Sequence, residues 1–239
     1  MTTDSLVAAL RDAFGPALRA VVVYGAAAGD EPVAPADVHT LVLVDSLPLE
    51  ALESAGAHIE AWVRGGGHPA PLVLTMAEWR SSVDVFPLEY ADILDQHRAL
   101  HGALPADGIE VDPEDLRLAV EREAMATLLQ LRRGVLATGG DAERRVELLV
   151  ASFPAFLTVF RGAVRVHGVR PSADAAGTCA ELAFRTGVDV SPFVRVLEHR
   201  RGRQRITPGE VHAVLDGYLT SLERLVAHLD QVRPSPRAS

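Results

Sequence analysis

Residues 21–45 read VVVYGAAAGDEPVAPADVHTLVLVD and decide how the rest of the chain is arranged. The β-branched run that ends at Tyr24 predicts a strand, and Gly25 with Ala26 predicts a turn directly after it. A polar stretch follows, and residues 38–44 form a second apolar run. We therefore expect two strands that are joined through a glycine turn.

Two polar side chains stand at the entrance of the second strand. Asp37 and His39 flank Val38, and alternate residues of a strand point to the same face, so the two side chains should converge. A strand that ends at a glycine before a helical turn also leaves backbone N–H groups free to meet an anion. We expect the N–H groups of the Gly25 turn to point toward the same place as Asp37 and His39.

The remainder of the first hundred residues alternates between helix and strand patterns. Apolar residues at helical spacing predict a helix over residues 4–14. Pro48 begins a second helix, and residues 71–75 form a short apolar strand. Thr75 and Glu78 have the spacing of a capping box for one helical turn. Strand-helix-strand alternation of this kind indicates an α/β layer.

Residues 83–90 alternate in a way that predicts another strand, with Asp84 on the same face as large apolar side chains. Pro87 cannot donate to a ladder of hydrogen bonds, so this strand should lie at an edge or end early. A carboxylate on an apolar face needs a partner or a cation, which makes Asp84 a candidate site residue. The alternative is that Asp84 caps the preceding turn.

A cluster of carboxylates and imidazoles follows, formed by Asp92, Asp95, His97 and His101. Such a group could bind a metal ion. We favour a solvated helix face, because Asp92, Asp95 and His101 share a predicted helix with apolar residues that it needs for packing.

The composition changes at residues 102–112, GALPADGIEVD, which we interpret as a domain boundary. Asp112 and Pro113 have the pattern of an N-cap and first residue of a long helix, and Pro154 should bend or break the next one. The predicted helices cover residues 112–136, 142–164, 172–185, 192–200 and 208–232. The fold class is therefore α+β, with a small mixed-sheet domain at residues 1–105, an all-α bundle of about five helices at residues 112–232 and a disordered tail at residues 233–239.

Charge and composition limit the function. The formal net charge is −9; residues 1–105 hold 5 Arg against 14 Asp plus Glu, whereas residues 106–239 hold 18 of each. Because its net charge is negative, the N-terminal half should repel nucleic acid. No run of about 18 apolar residues occurs and the N-terminus carries acids where a signal peptide carries bases, so we expect a cytoplasmic protein with no membrane partner. The single Cys179 excludes an internal disulfide and a cysteine-based zinc site, and we expect it to be buried in a helix.

Residues 24–26, residues 37–39 and Asp84 resemble the signature of nucleotidyltransferases of the polymerase-beta and MNT type. In that family an apolar residue, Gly and Ser close one strand, Asp-x-Asp opens the next, and a third Asp follows on a later strand. The corresponding residues here read Tyr-Gly-Ala and Asp-Val-His. The resemblance covers about the first hundred residues and implies a nucleotidyltransferase-like domain.

The resemblance also implies roles for individual residues. Asp37 and Asp84 would be catalytic carboxylates, and together with His39 they would hold Mg²⁺ or Mn²⁺. Gly25 and Ala26 would approach the phosphates of a nucleoside triphosphate (NTP). The nucleotidyl group would then pass to a hydroxyl of a small molecule or a protein.

The chain departs from the family pattern at two of these positions. His39 offers a nitrogen where the family has a carboxylate, whereas magnesium prefers oxygen ligands. Ala26 lacks the hydroxyl that would touch a phosphate. The alternative function is therefore a non-catalytic nucleotide-sensing or protein-interaction module that keeps the fold.

A helical bundle behind a small nucleotidyltransferase-like domain also resembles paired MNT and HEPN proteins. HEPN ribonucleases carry an Arg followed a few residues later by a His, and Arg161 with His167 fits this pattern loosely. The resemblance implies a third function, RNA cleavage, in which Arg161 holds a phosphate and His167 acts as general base. The alternative is a solvent-facing helix end.

A basic run near the C-terminus includes Arg200, Arg201 and Arg203. These guanidinium groups could grip RNA phosphates. We favour instead a docking role against the acidic N-terminal half, either within one chain or across a homodimer.

Overall fold

The computed structural model of the protein describes residues 2–29 and 38–232. In these residues the chain divides between Val111 and Asp112 into two compact units, the first with a sheet and the second with helices only. The first unit contains strands β1 (Leu18–Tyr24), β2 (His39–Val44), β3 (Leu72–Thr75) and β4 (His97–Gly102), in the order β3-β2-β1-β4. The fold class is α+β with a mixed sheet, as predicted.

The register of the sheet follows from the apolar runs. β1 pairs antiparallel with both β2 and β4, whereas β2 pairs parallel with β3. Where β1 begins and β2 ends, Arg19 Nε donates a hydrogen bond to the Asp45 carboxylate at 2.7 Å. This pairing places residues 20–24, which are mostly buried, at the centre of the sheet.

Each face of the sheet has its own core. On one face Val21 and Val42 pack with the first helix, α1 (Thr3–Phe14), and with the second, α2 (Leu49–Glu60). On the other face Val22 and Leu41 pack with Trp79, Tyr90 and Ile93. The rings of Trp79 and Tyr90 both belong to the segment that follows β3. This segment therefore covers the second face of the sheet.

That segment is helical, and the predicted strand over residues 83–90 is wrong. The chain forms α3 (Met76–Ser81), a turn, and α4 (Pro87–Asp95). The capping box of Thr75 and Glu78 forms as predicted. Pro87 has no N–H to give to a ladder but suits the first turn of a helix, where that N–H has no partner. Leu88, Tyr90, Ala91 and Ile93 are buried at helical spacing.

The prediction that His101 shares a helix with Asp92 and Asp95 is also wrong. Asp92 and Asp95 lie on α4, but His101 lies on β4, an edge strand next to β1. Arg11 Nη2 on α1 is 2.9 Å from His101 Nδ1. Gly102 ends β4 with a positive φ of 64°, and a Cβ there would lie 2.0 Å from the Arg19 carbonyl oxygen. Only glycine permits this close approach of two backbones.

The second unit is a bundle of five helices in the described part of the chain. They are α5 (Pro113–Ala137), α6 (Ala142–Val166), α7 (Ala175–Thr186), α8 (Ser191–Arg200) and α9 (Val211–Gln231). The Asp112 carboxylate caps α5 by accepting from Glu114 N at 2.8 Å. α6 runs through Pro154 without a break, and α7 and α9 each begin three residues later than predicted.

α6 is the central helix of the bundle and contacts the other four. Phe156 and Phe160 both contact Phe193 of α8, and Phe156 also contacts Tyr218 of α9, with ring centres 4.7–6.1 Å apart. The rings of Phe193 and Tyr218 are 4.1 Å apart. Cys179 is fully buried on α7, as predicted. In the described residues α6 is also the one helix long and apolar enough to cross a membrane, a test that the core helix of a bundle passes as well.

Candidate active site

The candidate site lies where β1 ends. Tyr24, its last residue, pairs across the sheet with His39 of β2 and with His97 of β4. The rings of Tyr24 and His39 are 5.7 Å apart and tilted by 34°. The register thus gathers one phenol and two imidazoles, drawn from three strands, at one end of the sheet.

Gly25 opens a short 3₁₀ turn, Gly25–Ala28, with a positive φ of 67°. Its N–H donates to Gln96 O at 3.0 Å, which ties the turn to the start of β4. The expectation that this N–H is free to meet a phosphate is therefore wrong. Gly25 provides the backbone geometry of the bend, and any backbone donor to an anion must come from a later residue of the turn.

The carboxylates that act on Tyr24 come from α4. Burial of Tyr24 raises the pKa of its phenol, and the charges of Glu89 and Asp92 raise it further. Glu89 and Asp92 are three residues apart on the helix, which places them on neighbouring parts of one face. The end of β1 is therefore an acidic environment.

His97 has a defined tautomer in this arrangement. Its Nδ1 lies 2.8 Å from the Ile93 carbonyl oxygen, and because a carbonyl oxygen only accepts, Nδ1 carries the proton. In the neutral ring Nε2 then keeps a lone pair that can accept a hydrogen bond.

Asp84 does not lie on a strand. It is exposed, in the turn between α3 and α4. The charge of Asp84 acts on Tyr90. Burial, and to a smaller extent this charge, raise the pKa of the Tyr90 phenol to about 12. The Tyr90 hydroxyl in turn donates to Trp79 O at 2.7 Å. Asp84 is thus a turn residue beside the Trp79–Tyr90 core.

The predicted metal ligands are only partly described. Asp37 lies outside the described residues, and Ala26 is part of the Gly25–Ala28 turn. Within residues 2–29 and 38–232, no three His, Cys, Asp or Glu side chains gather closely enough to hold a metal ion. His39 and Asp84 therefore do not form a metal site with a third described ligand.

The sequence did not single out Glu89, and Asp92 and His97 were set aside there in favour of a solvated helix face. The signal for the first two was present, because Pro87 followed by acids three residues apart is a helix-start pattern with one acidic face. His97 gave no comparable signal. The position of His97 depends on β4. The sequence of β4, HRALHG, lacks the alternation of apolar and polar residues that predicts a strand.

The helical unit shows where the third set of predicted residues lies. Arg161 on α6 donates to Ala173 O at 3.3 Å. His167 ends α6, and its Nε2 lies 3.0 Å from Nε2 of His228 on α9. Both imidazoles have their pKa lowered by burial, and the charges of His228 and Arg185 lower that of His167 further.

The basic run makes contacts within its own unit. Arg195 donates to the carbonyl of Gln204 at 2.8 Å and pairs with Glu210. Arg201 and Arg203 both pair with Glu198, at 3.7 and 3.3 Å, and the guanidinium of Arg200 lies 5.3 Å from the centre of the Phe153 ring. These arginines thus already have acidic, carbonyl or aromatic neighbours.

Comparison with known proteins shows the fold. No family model and no curated protein matches the chain. The chain is similar in structure to the spectinomycin adenyltransferase AAD(9) from Enterococcus faecialis, solved with ATP and spectinomycin. The TM-score is 0.55 at 12% sequence identity, over 92% of this chain and 97% of that chain. The likeness shows the fold alone, a mixed-sheet unit followed by a helical region.

Proposed function

We propose that this protein binds an NTP together with a divalent cation and transfers the nucleotidyl group to a hydroxyl of a small molecule. The observation that carries the proposal is the extent of the structural likeness, which includes both the sheet and the helical unit of an adenyltransferase solved with ATP and spectinomycin. A likeness confined to the first unit would have supported nucleotide binding alone.

We place the triphosphate at the Gly25–Ala28 turn. Gly25 has the positive φ that lets β1 turn sharply there, and a 3₁₀ turn after a strand presents backbone N–H groups beyond the one that Gln96 occupies. Tyr24 and His39 offer a phenol and an imidazole beside the turn. Both can donate a hydrogen bond to an anion.

The acidic surroundings suit a nucleotide that carries its own cation. Glu89 and Asp92 would repel a bare triphosphate at the end of β1, whereas a divalent ion on the phosphates offsets that repulsion. Mg²⁺ usually binds through one or two carboxylates and the substrate phosphates rather than through a cage of protein ligands. We assign Asp37 and His39 to this ion, and we do not assign Asp84 to it.

The reaction itself asks little covalent chemistry of the protein. The acceptor oxygen bonds to the α-phosphorus as the bond to the bridging oxygen breaks, so pyrophosphate leaves and the hydroxyl proton passes to a carboxylate or to water. The cation, when bound, offsets phosphate charge. The residues of this chain would position the nucleotide and exclude water from it.

Thermal shift tests the binding step. A ligand that binds the folded state must raise the melting temperature, so ATP, GTP, CTP and UTP are each added with and without Mg²⁺ or Mn²⁺. We expect a shift only with the cation present. Asp37→Asn, at the carboxylate that we assign to the cation, should reduce the shift, and Asp95→Asn serves as the control. The absence of a shift for every combination would refute the proposal.

A second candidate is nucleotide binding without transfer, and one observation favours it. His39, which stands where the family has a second carboxylate, packs its ring against Tyr24. Pyrophosphate release in the presence of a panel of polyhydroxylated small molecules separates the two functions. Binding without release, followed by a gain of release in His39→Asp, would identify a site that has lost its chemistry.

A further inference from the structure

The long helix α5 has two apolar sides. One side packs in the bundle through Leu116, Val120, Leu128 and Leu131. On the opposite side Leu118, Met125, Leu129 and Leu136 are 51, 42, 42 and 83% exposed. With about 100° per residue these four side chains fall within roughly 20° of one line along the helix. We call this line the α5 seam.

A seam of this kind is unusual on a protein surface. Single exposed apolar residues need no explanation, but several apolar residues aligned along one face of a helix indicate an interaction site. The seam covers about 27 Å at about 1.5 Å per residue, and in the part of the chain that the structure describes all four side chains remain accessible. Their intervals of seven, four and seven residues are those of the d and a positions of a coiled coil.

The spacing and the charges select the partner. We propose that the α5 seam is an interface on which a second copy of this chain docks, with the two α5 helices antiparallel about a two-fold axis. The intervals read the same in both directions. Antiparallel pairing therefore sets Leu118 opposite Leu136 of the second copy, and Met125 opposite its Leu129.

Charge along α5 favours the antiparallel direction. Residues 112–123 hold five acids and two arginines, whereas residues 124–137 hold two arginines and no acid. Antiparallel pairing brings the acidic half of each helix beside the basic half of the other, and the helix dipoles then oppose. Parallel pairing would place like halves together.

Two arginines limit the strength of the interface. Arg122 and Arg132 occupy the remaining a and d positions and face each other across the two-fold axis. Arg132 forms an ion pair with Glu223 of α9 at 2.8 Å. Four apolar side chains also bury less area than the roughly 800 Å² per partner of a standard interface. We therefore expect a dimer with a dissociation constant in the micromolar range.

Sedimentation equilibrium on the full chain is the first test. The wild type should be dimeric at 100 μM, and Met125→Glu with Leu129→Glu should raise the dissociation constant at least about 100-fold, because each copy loses two apolar contacts and gains buried charge. Phe184→Glu, at a residue 83% exposed on α7, is the matched control and should leave the dissociation constant unchanged. A monomeric wild type, or a double variant that still dimerises, would overturn the proposal.

Two further variants keep the test decisive if the glutamates disturb folding. Arg122→Leu removes a like-charge contact and adds an apolar residue to the seam, so the dissociation constant should fall about tenfold; an unchanged or higher value contradicts the proposal. Leu118→Cys mixed with Leu136→Cys should form a disulfide dimer, whereas either alone should not. Cys179 does not compete, since it is fully buried and burial raises the pKa of its thiol to about 11. Cross-linking of either variant with itself would exclude the antiparallel arrangement.

Discussion

The contact between Tyr90 and Trp79 gives a sharp test of the segment that sequence reasoning placed wrongly. The two rings stack with centres 4.3 Å apart, and the Tyr90 hydroxyl donates to Trp79 O at 2.7 Å in the core. Trp79 Nε1 donates to Pro105 O at 2.9 Å. Tyr90→Phe removes the hydroxyl and keeps the ring, so it isolates one hydrogen bond.

The magnitude follows from the burial of that bond. The variant leaves the Trp79 carbonyl without its donor in the core, which costs about 1–2 kcal/mol of unfolding free energy. For a unit of this size the melting temperature should fall by roughly 5–10 °C. Urea denaturation at pH 8, followed by tryptophan fluorescence, measures the loss. A Tyr90→Phe protein as stable as the wild type would refute the buried contact.

The pH dependence tests the position of Asp84. Burial and then the charge of Asp84 raise the pKa of Tyr90 to about 12, so folding favours the neutral phenol. This stabilisation is complete below the unfolded value of about 10 and is lost as the pH rises to about 12. Asp84→Asn lowers the folded pKa and should reduce the loss between these values. An alkaline loss equal to that of the wild type, with Asp95→Asn as control, would place Asp84 away from Tyr90.

Three other substitutions test separate parts of the fold. Gly102→Ala should cost about 3 kcal/mol or more, because its Cβ would meet Arg19 O at a positive φ, whereas Gly108→Ala, with a positive φ in open space, should cost less; urea denaturation compares them. Asp112→Ala removes the cap of α5 and should cost about 1 kcal/mol in the same assay, and no loss would count against the cap. Burial lowers the pKa of His228, so its contribution is present above about pH 6.5 and is lost as the pH falls. His228→Gln should therefore flatten the decrease in melting temperature between pH 7 and 5, and an unchanged slope would contradict this.

The elements that local patterns determine were predictable from sequence. β1 and the capping box at Thr75 each follow from a few adjacent residues, and so does the Asp112 cap of the first bundle helix. Residues 83–90 failed because their apolar residues fit both a period of two and a period near 3.6. Pro87 decides between them, since it suits the first turn of a helix.

The candidate site was predictable only where strand neighbours define it. Tyr24 and His39 come together because two consecutive strands form a pair. Glu89 and Asp92 act on Tyr24 through the packing of α4 over the second face of the sheet, which no short-range pattern specifies. β4 was missed because an edge strand with little buried surface needs few apolar residues.

The register of the sheet explains why the acids of this site come from a helix. β3 runs parallel to β2 with Leu72 opposite Leu41. The pairing of β3 with β2 begins at that position, and the residues just before β3 read His-Pro-Ala-Pro, which include no carboxylate. Acidic charge reaches the end of β1 only from α4 among the described elements that act on Tyr24. Carboxylates on a packed helix create a negative potential at the end of β1, but they do not form a cage of metal ligands. A cation that binds together with its nucleotide needs only such a potential, because the phosphates supply most of its ligands.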